Sequence, residues 1–152
     1  MQDETFMLLA LEEARLALAE GETPVGCVIV RDGRIIARGH NRRHNDHDPT
    51  AHAEILAIRR AASVLGDWRL SGCTLYVTLE PCPMCAGAIL MARLSRLVFG
   101  ASDPAQGCAG SVYRIPEDPA FSHFCPSDGG VLEAGCRAPL DEFFHKKRNR
   151  DA

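Results

Sequence analysis

His52, Glu54, Cys82 and Cys85 are the residues of this chain whose types and spacing can do chemistry. One imidazole and two thiolates can hold a zinc ion. Three protein ligands leave a fourth position open for water, which separates a catalytic zinc from a closed structural one. The spacing Cys82-Pro83-Met84-Cys85 lets both sulfurs reach one ion from a single turn of chain. Glu54 lies two residues from His52, so it can stand beside the metal without binding it. A zinc, an activated water and a carboxylate that moves protons imply hydrolysis at a C–N bond. Glu54 would take the water proton, hydrogen-bond a substrate ring nitrogen and pass a proton to the leaving amino group, so that ammonia departs.

Two other uses of these residues compete. A Cys-x-x-Cys pair also serves as a thioredoxin-like redox couple, but His52-Ala53-Glu54 would then be idle. A purely structural zinc needs a fourth protein ligand, for which His40, His44, His47, His123 and His145 are available by type.

The elements that must position the four residues can be read from the pattern of the chain. Phe6 to Ala19 has helical apolar spacing and stops at Gly21. Val25 to Val30 and Arg34 to Gly39 read as strands, joined at Asp32-Gly33 by a hairpin turn. After a polar loop from Asn41 to Pro49, Thr50 is the expected N-cap of a helix from Ala51 to about Leu65, closed by Gly66. His52 and Glu54 then fall in its first turn. Cys73 to Leu79 reads as a strand, and Pro83 suits the first turn of a helix reaching about Ala92. Leu97 to Gly100 is a further short strand. Asp141 to Arg148 reads as helical, with Pro139 either starting that helix or kinking it.

Strands alternating with helices predict an α/β sheet covered on both faces, with the hairpin adding an antiparallel pair. Both ligand groups would open helices, where unpaired amides and the positive dipole end favour thiolate. The stretch between them has room for the rest of one helix and one strand, so both helix starts would reach the same sheet edge.

The 152 residues favour one domain, spanning 1–152, with 46% hydrophobic and 24% charged residues. A net charge of -3 gives no global positive field toward nucleic acid, although Arg42-Arg43 and Lys146 to Arg150 are local basic clusters. No apolar run approaches the ~20 residues of a membrane helix. Met1-Gln2-Asp3-Glu4 lacks the basic region of a signal peptide, so a cytoplasmic setting is expected. Seven cysteines in such a chain are not a disulfide framework; Cys27, Cys73, Cys108, Cys125 and Cys136 are expected to be small buried apolar residues.

Beyond the ligands, longer strings carry a resemblance: Asp48-Pro49-Thr50-Ala51-His52-Ala53-Glu54-Ile55, Thr74 to Ile89 through Pro81-Cys82-Pro83-Met84-Cys85, Val98-Phe99-Gly100-Ala101, Gly129-Gly130-Val131-Leu132 and Asp141-Glu142-Phe143-Phe144. Together they resemble the bacterial tRNA-specific adenosine deaminases over nearly the whole chain. His-x-Glu with Pro-Cys-x-x-Cys alone is shared by all cytidine-deaminase-like enzymes. The resemblance implies a three-layer α/β/α fold with a mixed central sheet, a homodimer, and deamination of adenosine to inosine at the wobble position of a tRNA anticodon stem-loop. It also implies that Asn41 contacts the flipped base, that Asp103 lies near the anticodon loop, and that Phe143, Phe144 and the basic residues after them pack on RNA. The chain departs from the family pattern in three places. Pro104-Ala105-Gln106 carries no Lys, Ser122-His123-Phe124 replaces an Asn-His-Arg stretch, and Pro139 falls in a helix that the family keeps uninterrupted.

Two further readings share the zinc site. A free-base or nucleoside deaminase of guanine or cytosine type would close its pocket with its own C-terminal segment. A non-catalytic partner subunit would have no need of Glu54.

Overall fold

The computed structural model describes the backbone of residues 2–151 and the side chains of residues 2–150. The elements run α1 (Gln2–Ala19), β1 (Gly26–Arg31), β2 (Arg34–His40), α2 (Ala53–Leu65), β3 (Cys73–Leu79), α3 (Pro83–Met91), β4 (Arg96–Ala101), β5 (Ser127–Asp128) and α4 (Glu133–Asp151). The sheet order is β2-β1-β3-β4-β5. The β1 strand is antiparallel to β2 and β3, whereas β3, β4 and β5 are parallel. This is the mixed sheet expected from the sequence.

Period-2 alternation along the strands sorts the core into two layers. Cys27, Ile29, Leu75, Val77, Leu97 and Phe99 face Ala53, Ala57 and Ala61 of α2 and Ile89 and Leu90 of α3. Val28, Val30, Tyr76 and Val98 face Met7, Ala10 and Leu11 of α1 and Cys136 and Leu140 of α4. The fold is therefore three-layer α/β/α. All seven cysteines are free; Cys27, Cys73, Cys108, Cys125 and Cys136 are buried, as expected of apolar core thiols.

The β1–β2 turn is built as its residues require. Asp32 and Gly33 have φ of 51° and 76°, the left-handed pair of a type I′ hairpin turn. Between Ile29/Val30 the register shifts by one residue on β2, a bulge that sharpens the local twist.

The structure corrects the start of α2. It begins at Ala53, and the cap is His52, not Thr50. The Thr50 hydroxyl donates instead to Asp48 Oδ1 at 2.7 Å, closing a turn of the preceding loop. The last helix is also longer than its local pattern. It runs through Pro139, although Pro there removes the bond to the Gly135 carbonyl at a cost of about 3 kcal/mol. Cys136 and Leu140, on either side of that break, are 0% and 4% exposed, and their burial against the sheet holds the helix together. The two-residue β5 strand and a 3-10 turn at Ile115–Glu117 have no periodic signature in sequence.

The sheet edge away from the site is fastened by Arg96. Its guanidinium donates to both carboxylate oxygens of Asp3 at 2.9 and 2.8 Å and to Asp128 at 2.8 Å, tying α1, β4 and β5. The Arg96 hydrogen bond holds the Asp3 carboxyl below its ordinary 3.8, against a smaller opposing effect of burial and with help from the Tyr76 hydroxyl. A depressed folded-state pKa means stability present above about 3.8 and lost as pH falls through the lower folded value. Arg96→Ala is expected to cost about 1 kcal/mol at neutral pH, discounted for the partly exposed pair. The cost should shrink in denaturant titrations as pH falls below 3.8 and on through the depressed folded value, beneath which Asp3 is protonated in both states.

Candidate functional site

Two helix starts meet at one end of the sheet. His52 caps α2 and Cys82 caps α3, both in extended backbone (φ -78°, ψ 155° and φ -73°, ψ 175°). An N-cap side chain ordinarily bonds an amide of its own first turn. Neither of these does so, and both side chains are turned to each other instead. The helices are seated close to the sheet. A Cβ at Gly39 of β2 would lie 2.5 Å from the Ala53 carbonyl oxygen, so only glycine lets the first turn of α2 approach so near. Pro83 at the first position of α3 fixes the turn that returns Cys85 toward Cys82.

His52 Nδ1 lies 3.6 Å from Cys82 Sγ and 3.5 Å from Cys85 Sγ. Tetrahedral zinc with Zn–S of about 2.3 Å and Zn–N of about 2.0–2.1 Å requires S···N separations of about 3.5 Å. The triangle fits the ion in both donor type and size. Among the described residues no fourth His, Cys, Asp or Glu joins the cluster, which leaves the open position that a catalytic zinc needs. Two of the other histidines are engaged elsewhere: His40 lies between Glu13 and Glu20, and His123 Nε2 lies 2.7 Å from the Leu94 carbonyl oxygen.

The electrostatics follow from these contacts. The Cys85 thiol and then His52 hydrogen-bond to Cys82 against the opposing effect of burial, pushing it down to about 4. The Cys85 thiol is pushed far up, because it donates to Cys82 and is buried. His52 is raised, chiefly by the same bond to Cys82. Glu54 is 4% exposed, and burial pushes its carboxyl up to about 7. A carboxyl near neutrality can both take and give a proton, the requirement for a shuttle.

His52, Glu54 and Cys82 line a cavity of about 430 Å³, large enough for a nucleoside-sized ligand. Asn41 and Asp103 line it too, as does Phe144. Phe143 is not among its lining residues; it packs on Phe144 with ring centroids 5.3 Å apart. Asn41 is 6% exposed, donates to the Thr23 carbonyl at 3.4 Å and accepts from the Arg43 amide at 3.3 Å. One N–H and one carbonyl lone pair of that amide stay free for a ligand. The Asp103 carboxylate accepts from the amides of Ala105 and Gln106, so it shapes its own turn.

The sequence reading missed Arg137 and Glu80, which line the cavity together with Arg43 and Lys147 of the two basic clusters. Arg137 donates to the Ser102 carbonyl at 2.7 Å from a stretch of α4 hidden by Gly135 and Pro139. Glu80 is 2% exposed; burial alone would raise its carboxyl, but bonds from Ser111, Asp103 and Ala109 outweigh it and hold it below 4.5. A charged residue closing an apolar strand was the available signal.

Residues 1–101 match the model of the cytidine and deoxycytidylate deaminase zinc-binding region. A tRNA-specific adenosine deaminase of Bacillus subtilis is 48% identical over 98% of this chain and 92% of the relative. The chain belongs to the tRNA-specific adenosine deaminase family. Another member, from Haemophilus influenzae, is 50% identical over 96% of this chain and 85% of its own length. A solved structure from work on A-to-I editing by tRNA:A34 deaminases at the wobble position superposes with a TM-score of 0.86, at 48% identity, covering 90% of this chain and 99% of that one. A guanine deaminase from Nitrosomonas europaea superposes with a TM-score of 0.81 at 26% identity, covering 92% and 83%. Zinc is accordingly the cofactor of this family member.

Proposed function

We propose that this chain deaminates adenosine to inosine at the wobble position of a tRNA anticodon stem-loop. The observation that carries this reading is the meeting of the His52–Cys82–Cys85 triangle and buried Glu54 in a cavity that also carries Phe144, Arg43, Arg137 and Lys147. Near-complete coverage by tRNA-specific relatives supports the choice of adenosine in tRNA.

His52, Cys82 and Cys85 hold the zinc, which when bound supplies Lewis-acid activation of a water at neutral pH. Glu54 would take a proton from the attacking water, whose oxygen becomes the C6 oxygen of the product, and would give one to the amino group that departs as ammonia. The free amide groups of Asn41 orient the base. Phe144, 43% exposed, offers a stacking face to an unpaired base, with Phe143 behind it. Arg43, Arg137 and Lys147 suit backbone phosphate, and Asp103 shapes the wall beside them.

The whole of 1–152 acts as one deaminase domain in this reading. A homodimer is supported by Val64, Trp68 and Met91, exposed large apolar side chains on and beside α2 and α3. Among the described residues no helix is long and apolar enough to cross a membrane, and a tRNA substrate supports a cytoplasmic setting.

A guanine deaminase of the same fold makes free-base chemistry the second reading. The test offers the enzyme a wobble-adenosine tRNA and, in parallel, guanine, cytosine, cytidine and adenosine. Inosine in the tRNA without turnover of the small molecules is expected, with binding that weakens as salt rises. Guanine or cytosine turnover with the tRNA unedited would sink the substrate assignment.

A further inference from the structure

The loop 102–111 forms one wall of the cavity, through Ser102 to Gln106. It is wrapped round a single buried side chain that the deamination steps do not use. The Glu80 amide donates to the Ala101 carbonyl at 2.8 Å, extending the β3–β4 ladder by one rung to the mouth of the site. Its carboxylate then turns into the loop. One oxygen accepts from the Asp103 amide at 3.0 Å and from the Ser111 hydroxyl; the other accepts from the amides of Ala109 and Ser111, each at 2.9 Å.

Gly107 closes the wrap. A Cβ there would stand 2.3 Å from the Glu80 carboxyl carbon and 2.5 Å from the Asp103 carbonyl oxygen, so this glycine is the space the carboxylate occupies. The loop is also tied to the metal helix, since the Cys108 amide donates to the Pro81 carbonyl at 2.8 Å. Ionised carboxylate is an acceptor only, and four donors converge on it. No apolar or amide side chain of the same length can satisfy all four.

We propose that Glu80 is a positioning residue: its carboxylate fixes the substrate-facing wall Ser102–Gln106, and through that wall it sets how tightly the adenosine-bearing RNA is held. It rests on the tRNA reading above. Glu80 does not exchange protons with substrate, because every lone-pair direction toward the loop is already taken by a donor. The proton chemistry stays with Glu54.

Glu80→Gln keeps the size of the side chain but replaces one acceptor oxygen with a donor. It is expected to raise KM for a wobble-adenosine stem-loop roughly tenfold, with kcat within about threefold of the wild type and zinc still at about one per chain. Gly107→Ala, which pushes on the same carboxylate from the loop side, should give the same pattern, and the double variant should be little worse than either single one. If Glu80→Gln does not accumulate as folded protein, Ser111→Ala removes one donor alone and should raise KM roughly threefold. A KM within twofold of the wild type, a fall in kcat larger than the rise in KM, or loss of zinc would each overturn the proposal. The substrate reading fails separately: if the wild type leaves the stem-loop unedited and deaminates a free base, the same comparison on that base decides the role of Glu80.

Discussion

Glu54→Ala is expected to lower the single-turnover rate on a wobble-adenosine stem-loop by about 10³–10⁴-fold while zinc stays at about one per chain. The size follows from what else the cavity holds. Glu80 is committed to four donors, so it cannot substitute as a proton carrier, and Asp103 is not in contact with the ligand cluster as Glu54 is. Glu54 touches Cys85 but is not one of the three clustered donors, so removing it leaves all three zinc donors in place. Metal analysis and rate are measured on the same preparation. A near-normal rate in Glu54→Ala would mean that the proton path runs elsewhere.

The second large effect is on the metal itself. Cys85→Ala is expected to reduce zinc to below about 0.1 per chain, to abolish turnover, and to lower the thermal midpoint by on the order of 10 °C, the linkage contribution of a ligand present far above its dissociation constant. Cys85 is fully buried at the third position of α3, and its Sγ lies 3.5 Å from His52 Nδ1, so no other thiol can move in. Cys125→Ala is the control. It too removes a fully buried thiol, but one in the core cluster outside the triangle, so it should lose stability without losing zinc. Retention of full zinc by Cys85→Ala would contradict the assigned ligand set. A chelator applied to the wild type should reproduce its loss of both activity and midpoint.

The fold was legible where local chemistry and tertiary packing agree. Asp32-Gly33 demands a left-handed turn wherever it lies, and Cys73–Leu79 is a β-branched and apolar run bounded by Gly72 and Pro81. The zinc triangle was legible for a related reason: its ligands sit at helix starts that Pro83 and the chain order mark out. Other features depend on distant partners. Thr50 looked like the cap of α2, but Asp48 engages its hydroxyl and the cap passes to His52, whose side chain has other work. Pro139 argued for a break that the burial of Cys136 and Leu140 overrides. The β5 strand is two residues long and exists only as a rung beside β4. Glu80 gave no periodic signal, because its role comes from a loop some thirty residues further on closing round it. Asp103 was placed at the site by resemblance, and the structure adds that its carboxylate shapes the loop it stands in.

The chemistry that joins these residues is hydrolytic deamination of one adenosine at one zinc site. It is tested most directly by incubating wild-type enzyme with a wobble-adenosine tRNA in oxygen-18 water, then digesting the RNA and weighing the nucleosides. Inosine is expected at the wobble position alone, carrying one heavy oxygen, with one ammonia released per inosine. Unchanged adenosine with full zinc loading, or inosine that carries no solvent oxygen, would contradict it.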